Sequence, residues 1–169
     1  MFQEILGKAF SWLTRNSCFF VLVPLYRWLL IKERHANGSE SRVIRSRSNR
    51  GKTTILVLAA DGFRGDLEAL AAIGSFRVLR LNRAWQTRLI SCFYSRELQG
   101  EHLVVTRHYN ADSEAHPELY EAKRLTQEFM AGFLGRLYKT LPIKVVLLYN
   151  VRYLADLDWA EVSQKLGVV

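Results

Sequence analysis

Two stretches between residues 46 and 66, SRSNRGKTTILVLAADGFRGD, carry residue types whose spacing could do chemistry. The first, Gly51-Lys52-Thr53, matches the end of a phosphate-binding loop. Such a loop follows a strand and opens a helix, so that backbone N–H groups converge on phosphate. Here the tripeptide precedes a predicted strand, and Ser46 stands where the motif requires its first glycine. We therefore exclude a phosphate-binding loop and interpret this stretch as part of a basic linker.

The second stretch is the turn DGFRGD, residues 61–66, which follows a continuous apolar run. Its two glycines are expected to let the backbone turn tightly and approach a ligand. Their spacing is not GxGxxG, and Asn82 rather than an acidic residue ends the next predicted strand, which argues against a dinucleotide-binding dehydrogenase. Ligands of open α/β sheets bind beyond the carboxyl ends of the strands, and this turn lies at such an end.

Polar residues also follow the other predicted strands, and together these positions predict a rim of hydrogen-bonding groups suited to a sugar or a phosphate. The predicted substrate-binding residues are Gly62, Arg64, Gly65, Asp66, Asn82, His108, Asn150 and Arg152. Each polar residue has an alternative structural role. Asp66 and Asn82 occupy helix-capping positions, His108 fits a surface loop, and the two arginines have Asp66 and Asp156 as candidate ion-pair partners. No catalytic residue is assigned.

The elements that position these residues alternate between strand and helix from residue 53 onward. Apolar runs and period-two patterns predict strands, and 3.6-residue patterns bounded by caps predict helices. The predicted strands are 53–60, 76–82, 101–109 and 143–150. The predicted helices are 65–74, 83–98, 117–141 and 158–167, the last with a capping box at Asp158 and Glu161. The predicted fold class is α/β, a Rossmann-like three-layer sandwich with a mostly parallel sheet of about four strands, preceded by an N-terminal helical apolar segment.

Charge separates the 169-residue chain into unequal parts. Residues 1–52 carry ten Lys/Arg and three Asp/Glu, whereas residues 53–169 are nearly neutral. We predict an apolar, amphipathic helical membrane-associating segment at 1–36, a basic flexible linker at 37–52 and the Rossmann-like α/β domain at 53–169. This domain is expected to be incomplete, because LGVV at residues 166–169 is the pattern with which a further strand begins.

The apolar run CFFVLVPLYRWLLI, residues 18–31, is interrupted by Pro24 and Arg27. Three interpretations stay open: an in-plane amphipathic anchor, a single-pass anchor, and a hairpin packed on the protein's own core. Apolar insertion and attraction to anionic headgroups would act together. The arginines are not interleaved with aromatic residues, which disfavours nucleic acid as the partner. The expected membrane-binding residues are Phe10, Trp12, Phe19, Phe20, Trp28, Arg42, Arg45, Arg47 and Arg50.

Cysteine and histidine show no spacing that indicates a metal site. Cys18 and Cys92 lie in unrelated contexts, and the four histidines form no paired motif. No metal and no cofactor is therefore predicted.

Residues 53–169 resemble the N-terminal Rossmann half of GT-B type glycosyltransferases. The segments that carry the resemblance are ILVLAADGFRGDLEALAA and IKVVLLYNVRYLADLDWAEVSQKLGVV. In this family a strand, a Gly-containing turn and a helix open the domain, and Gly62 and Gly65 match the acceptor-side turn, with Arg64 and Asp66 beside them. The resemblance implies that these residues hold the acceptor, and that a C-terminal half, absent from this sequence, binds the nucleotide sugar. Bacterial members often lie at the membrane, so it also implies the cytoplasmic face of the inner membrane and polysaccharide biosynthesis.

The expected function is therefore the acceptor-side domain of a membrane-associated glycosyltransferase, which transfers sugar only together with its donor-binding half. The isolated chain is expected to be inactive. The alternative is a non-enzymatic α/β binding module, tethered to a membrane or a partner by its basic N-terminal arm. The expected partners are an anionic membrane surface, a sugar or polysaccharide acceptor and the C-terminal donor-binding half.

Overall fold

The computed structural model describes residues 2–43, 51–59, 64–82, 85, 89, 92–93, 118–148 and 154–169. The helices are α1 (Phe2–Arg15), α2 (Phe19–Leu25), α3 (Arg64–Ala72), α4 (Glu118–Thr140) and α5 (Leu154–Lys165). Helix α2 continues directly into a π-helical turn, Tyr26–Leu30. The strands are β1 (Ile31–Arg34), β2 (Glu40–Arg42), β3 (Thr53–Ala59), β4 (Phe76–Asn82) and β5 (Ile143–Leu148).

The described residues form a mixed α/β structure with a five-stranded sheet in the order β2-β1-β4-β3-β5. Strand β3 is the centre of the parallel part and pairs with β4 on one side and β5 on the other. Strand β1 is antiparallel to both β4 and β2. The predicted α/β class is confirmed, and the pairing of β3, β4 and β5 is parallel as predicted. The described residues hold five strands rather than four, and the predicted strand 101–109 lies outside them.

Strands β1 and β2 form a hairpin where the sequence predicts the end of a helical segment and the start of a flexible linker. The prediction differs from the structure because the charges of this region are paired inside the fold rather than solvated. Glu33 of β1 accepts a hydrogen bond at 2.6 Å from Arg77 of β4, and Arg34 donates one at 2.6 Å to Glu68 of α3. Both arginines are buried. These pairs fix the hairpin to the sheet and to α3.

Strand β3 buries both of its faces. Leu56 and Leu58 lie in the core formed with the N-terminal helices, α4 and α5. Ile55 and Val57 point the other way, where Leu67 of α3 covers them. Neighbouring residues of a strand face opposite sides of a sheet, so burial on both sides requires an uninterrupted apolar run. Each such side chain contributes about 1.5–3 kcal/mol of burial free energy.

The N-terminal helices are part of this core. Phe10 of α1 and Leu22 of α2 are buried together with Leu56 and Leu58, and the Tyr26 ring meets the Phe133 ring edge-on, with 4.9 Å between centroids. One of the three interpretations of this segment is that it packs on the protein's own core. The core-facing side of the N-terminal helices is packed in this way. Within the part of the chain that the structure describes, no helix combines the length and apolar character needed to cross a bilayer.

The helix ends differ in how well the sequence predicts them. Helix α5 begins at Leu154, so Asp158 is a buried residue inside the helix and the predicted capping box is wrong. The other end is as predicted: Gly167 has φ +73°, and Val168 N–H donates to the Ser163 carbonyl. Val169 then exchanges backbone hydrogen bonds with β5, donating to Lys144 and accepting from Val146. These two bonds have the pattern of parallel pairing.

Candidate functional site

The candidate ligand site lies at the carboxyl ends of β3 and β5. Helix α3 leaves β3 toward the face of Ile55 and Val57, whereas α5, which follows β5, packs in the opposite core through Trp159. Neighbouring parallel strands whose connections leave to opposite faces open a crevice beyond their carboxyl ends. Among the described strands, this order makes the carboxyl ends of β3 and β5 the candidate place for a ligand.

The first turn of α3 and the end of β4 bring four predicted site residues to the carboxyl edge of the sheet: Arg64, Gly65, Asp66 and Asn82. Asn82, the last residue of β4, is aligned with Ala59, the last residue of β3. Asp66 is exposed in the first turn of α3, where the helix dipole favours a carboxylate. It is inside the helix and not at its cap, because the helix begins at Arg64.

Gly65 lies in α3 beside Asp66, exposed, with its backbone outside the left-handed region. A Cβ atom added there would meet no heavy atom within 4 Å. The sequence predicts that Gly65 allows a tight turn, but Gly65 lies inside α3 and its backbone there does not require a glycine. What Gly65 provides is open space beside Asp66. Of the other predicted site residues, Arg64 is described as the first residue of α3 by its backbone alone, and Gly62, His108, Asn150 and Arg152 lie outside the described residues.

Two buried carboxylates near the same edge were missed as site candidates. Asp156 in the first turn of α5 and Asp158 two residues further on are both fully buried. Gln127 of α4 contacts Asp158 at 3.5 Å and also donates a hydrogen bond to Glu161. Lys123 forms an ion pair at 3.2 Å with Glu161. This network joins α4 to α5, and the one sequence signal for it is that Asp158 stands four residues before the inward-facing Val162.

A second polar cluster also joins α4 to α5. Tyr138 and Ser163 share a hydrogen bond of 2.7 Å, and the Trp159 indole N–H donates to the Tyr138 hydroxyl at 3.1 Å. Burial raises the pKa of Tyr138 to about 12, although both hydrogen bonds act in the opposite direction. The tyrosine is thus held neutral and serves as a structural tie, remote from the carboxyl edge of the sheet.

The second candidate surface is the outer face of α2 and the π-helical turn, which we call the outer aromatic face. It is formed by Phe20, Val21, Pro24, Trp28 and Leu29, all of them exposed. Phe20 is 81% exposed, Trp28 46% and Leu29 54%. The 3- and 4-residue spacing of Val21, Pro24 and Trp28 places them on one side of a helix. A helix that is apolar on both sides normally has both sides covered.

The other predicted membrane-binding residues differ in exposure: some lie on the surface and others pack in the core. Trp12 of α1 is 61% exposed, whereas Phe10 is buried against the rings of Tyr26 and Trp85. Phe19 packs on the Phe129 ring, with 5.2 Å between centroids. Arg42 is exposed on β2, and Arg45, Arg47 and Arg50 lie outside the described residues.

The stretch of sequence that contains the outer aromatic face carries charge of a single sign. Residues 5–32 contain Lys8, Arg15, Arg27 and Lys32 and no Asp or Glu. The Arg27 guanidinium lies over the Trp28 ring, 4.7 Å from its centroid. A cation beside an exposed indole suits the headgroup region of a bilayer, where the ring is half in contact with water.

The described residues bring together no group of three or more His, Cys, Asp and Glu side chains that could hold a metal ion. Comparison with protein-family models gives no match, and comparisons with curated proteins and with solved structures give none either.

Proposed function

We propose that this chain is the acceptor-binding α/β domain of a membrane-associated glycosyltransferase. The observation that carries the proposal is the strand order β4-β3-β5, with helices leaving β3 and β5 toward opposite faces of the sheet. This order supports a Rossmann-like fold with helices on both faces, the fold expected of each half of a GT-B type transferase. It provides one crevice for the acceptor.

The chemistry of the crevice suits an acceptor rich in hydroxyl groups. The Asp66 carboxylate accepts hydrogen bonds and the Asn82 amide both donates and accepts them, as sugar hydroxyls require. Open space beside Gly65 lets a sugar ring approach the first turn of α3. We assign Gly62, Arg64, His108, Asn150 and Arg152 to the same rim by their predicted places after the strands. The nucleotide sugar is held by a second, donor-binding half.

The outer aromatic face gives the domain its place at the membrane. Its exposed aromatic rings insert at headgroup depth, and the cations of residues 5–32 attract anionic lipid. The basic residues Arg42, Arg45, Arg47 and Arg50 add to this attraction. We place the domain on the cytoplasmic face of the inner membrane, where an acceptor for polysaccharide biosynthesis is available.

A glycan-binding assay tests the acceptor role. The protein is incubated with an array of bacterial glycans, and the glycans that bind are titrated against Asp66→Ala, Asn82→Ala and Ser75→Ala. Ser75 is an exposed residue at the opposite edge of the sheet, before β4, and serves as the matched control. Loss of one hydrogen bond to a carboxylate is expected to weaken binding about tenfold or more for Asp66→Ala. The control is expected to bind like the wild type.

The alternative, a non-enzymatic α/β binding module, is favoured by the outer aromatic face, which membrane docking explains without any ligand in the crevice. Binding to vesicles of phosphatidylcholine and phosphatidylglycerol with no glycan bound would support this alternative and contradict the acceptor role. The acceptor role would also be contradicted if Ser75→Ala weakened glycan binding as much as Asp66→Ala does.

A further inference from the structure

Three cations stand side by side across the β2-β1-β4 part of the sheet. Lys32 of β1 is aligned with Arg42 of β2 on one side and with Arg80 of β4 on the other. Aligned residues of antiparallel strands share a face, and their Cα atoms lie about 4.5–5.5 Å apart, so the three side chains form a row about 10 Å long. We call it the cation row. Like charges in directly opposite positions destabilise a sheet, so this arrangement has a cost in stability.

The cation row lies on the face of the sheet that α3 covers. Arg80 is aligned with Val57 of β3, and Val57 packs with Leu67 of α3. Ile31, which precedes Lys32, points the other way and is buried in the core with α2. The outer aromatic face belongs to α2 and the π-helical turn, on that other side of the sheet. A bilayer docked there would act on the cation row only by long-range attraction, so the row needs an explanation of its own.

The described carboxylates on this face do not compensate all of its cations. Glu40 forms ion pairs with Arg80 at 3.0 Å and with Arg34 at 3.2 Å, and Glu68 pairs with Arg34 at 2.6 Å. The other two members of the cation row, on β1 and β2, have no ion-pair partner among the residues that the structure describes. Two neighbouring positive charges of the row are thus left for an anion from outside the described part of the chain.

Both of these cations can be reached from solvent. Arg42 is exposed on the edge strand β2, and Lys32 beside it is half-buried. Their side chains offer hydrogen-bond donors only, and phosphoryl oxygens are strong acceptors for both. The guanidinium can bind two oxygens at once, whereas the ammonium acts as a compact point charge. Because the row extends over about 10 Å, it fits several linked phosphoryl groups better than a single one.

We propose that the cation row binds a soluble ligand that carries a chain of phosphoryl groups. Arg42 and Lys32 contact its oxygens directly, and the negative charge of the ligand relieves the repulsion between the aligned cations. Glu40 stays paired with Arg80 and Arg34, which keeps the third member of the row in place. This site consists of described residues of β1, β2 and β4, and it is independent of the acceptor role proposed for the carboxyl ends of β3 and β5.

Isothermal titration calorimetry with inorganic tripolyphosphate at low ionic strength tests the proposal. The variants are Lys32→Gln and Arg42→Gln, each of which removes one positive charge from the row. The matched control is Lys139→Gln, which removes the same charge from an exposed position in the last turn of α4, a helix that packs on the other face of the sheet. Loss of one charge-assisted contact is expected to weaken binding about tenfold or more in each row variant. The control is expected to bind like the wild type.

Two results of the titration would overturn the proposal. One is the absence of tripolyphosphate binding at millimolar concentration. The other is equal weakening by Lys139→Gln, because the anion would then respond to the net charge of the protein and not to the row.

Sedimentation with vesicles of phosphatidylcholine and phosphatidylglycerol separates a soluble ligand from a lipid headgroup as the source of phosphate. The row variants are expected to bind these vesicles nearly as well as the wild type, because the row lies across the sheet from the outer aromatic face. If they instead lost vesicle binding as Phe20→Ala should, and kept their affinity for tripolyphosphate, the row would be a lipid contact and the proposal would be wrong. The glycan-binding test of the proposed function depends on none of these outcomes.

Discussion

The ring of Phe19 in α2 lies directly on Gly132 of α4. A Cβ atom at Gly132 would stand 2.8 Å from the Phe19 Cζ, closer than real Cβ contacts allow. The Arg136 guanidinium covers the other part of the same ring, 4.6 Å from its centroid. The absence of a side chain at Gly132 therefore sets how closely the N-terminal segment approaches the core.

We expect Gly132→Ala to lower the free energy of unfolding by about 1–3 kcal/mol, because the methyl group would displace the Phe19 ring. The matched control is Gly135→Ala, one turn later in the same helix, where the added Cβ meets only Leu166 Cδ2 at 3.9 Å. That substitution should stabilise the protein by up to about 1 kcal/mol through helix propensity. Urea denaturation of both variants measures the two effects, and equal effects would contradict this packing.

Glu68→Gln tests the attachment of the β1–β2 hairpin to α3. Arg34 is buried, and its charge is compensated by Glu68 at 2.6 Å and Glu40 at 3.2 Å. Removing one of these charges is expected to cost about 1–3 kcal/mol of unfolding free energy.

The control for this substitution is Glu128→Gln on the exposed side of α4. Glu128 pairs with Arg124, which also binds Glu121 and lowers the pKa of that carboxyl through a hydrogen bond. Exposed pairs of this kind contribute little, so no measurable change is expected. If Glu68→Gln were as silent as Glu128→Gln in urea denaturation, the hairpin would not depend on this contact.

Tyr138 predicts how stability depends on pH in alkaline solution. Its pKa is raised by burial from its ordinary value of 10 to about 12 in the folded protein. Between these values the folded state holds the proton more tightly than the unfolded state, so stability is constant below pH 10 and falls as pH rises toward 12. The difference in unfolding free energy between wild type and Tyr138→Phe isolates this contribution.

At pH 8, Tyr138→Phe should be less stable by about 1–3 kcal/mol, because Ser163 and Trp159 lose their hydrogen-bond partner. We expect this difference to shrink when urea denaturation is repeated at pH 11. A difference that stays constant or grows with pH would mean that the pKa of Tyr138 is not raised on folding.

The outer aromatic face predicts which substitutions weaken vesicle binding. Phe20→Ala and Trp28→Ala should each reduce affinity for phosphatidylglycerol-containing vesicles roughly tenfold, because inserting a large apolar side chain contributes about 1.5–3 kcal/mol. Ile73→Ala is the control, since Ile73 is 59% exposed but follows α3 on the other side of the sheet. Vesicle sedimentation measures all three.

Salt gives an independent check of the same surface. Raising ionic strength shortens the screening length and should weaken binding of the wild type to anionic vesicles. Equal effects of Phe20→Ala and Ile73→Ala, or binding indifferent to salt, would contradict docking through this face.

The sequence predicts correctly those strands whose pattern of apolar residues matches their burial in the sheet. β3 is continuously apolar because both faces are buried, and its predicted span, like that of β4, is within a residue of the structure. Strand β1 was missed because its sequence, Ile-Lys-Glu-Arg, has the charge expected of a solvated segment. Its partners Glu68 and Arg77 lie more than thirty residues away, so only the folded arrangement reveals them.

The sequence predicts the roles of the site's aspartates less well, because their burial also depends on residues distant in the chain. An aspartate near a helix start has the same sequence pattern whether it caps the helix or is buried within it. Asp66 and Asp158 were both assigned to caps, yet one is exposed in a first turn and the other is enclosed beside Gln127. The distinction depends on α4, whose position relative to α5 no local pattern encodes.

The placement of the tryptophans has a practical consequence. Trp12 and Trp28 face solvent, Trp85 is half-buried against Phe10, and Trp159 is enclosed between α4 and α5. Acrylamide should therefore quench the emission of the first two indoles selectively, and lipid contact should shift that emission to shorter wavelength. Trp159 should change its emission only when the core opens. The protein thus supplies one intrinsic optical signal for adsorption and another for denaturation, with no dye attached.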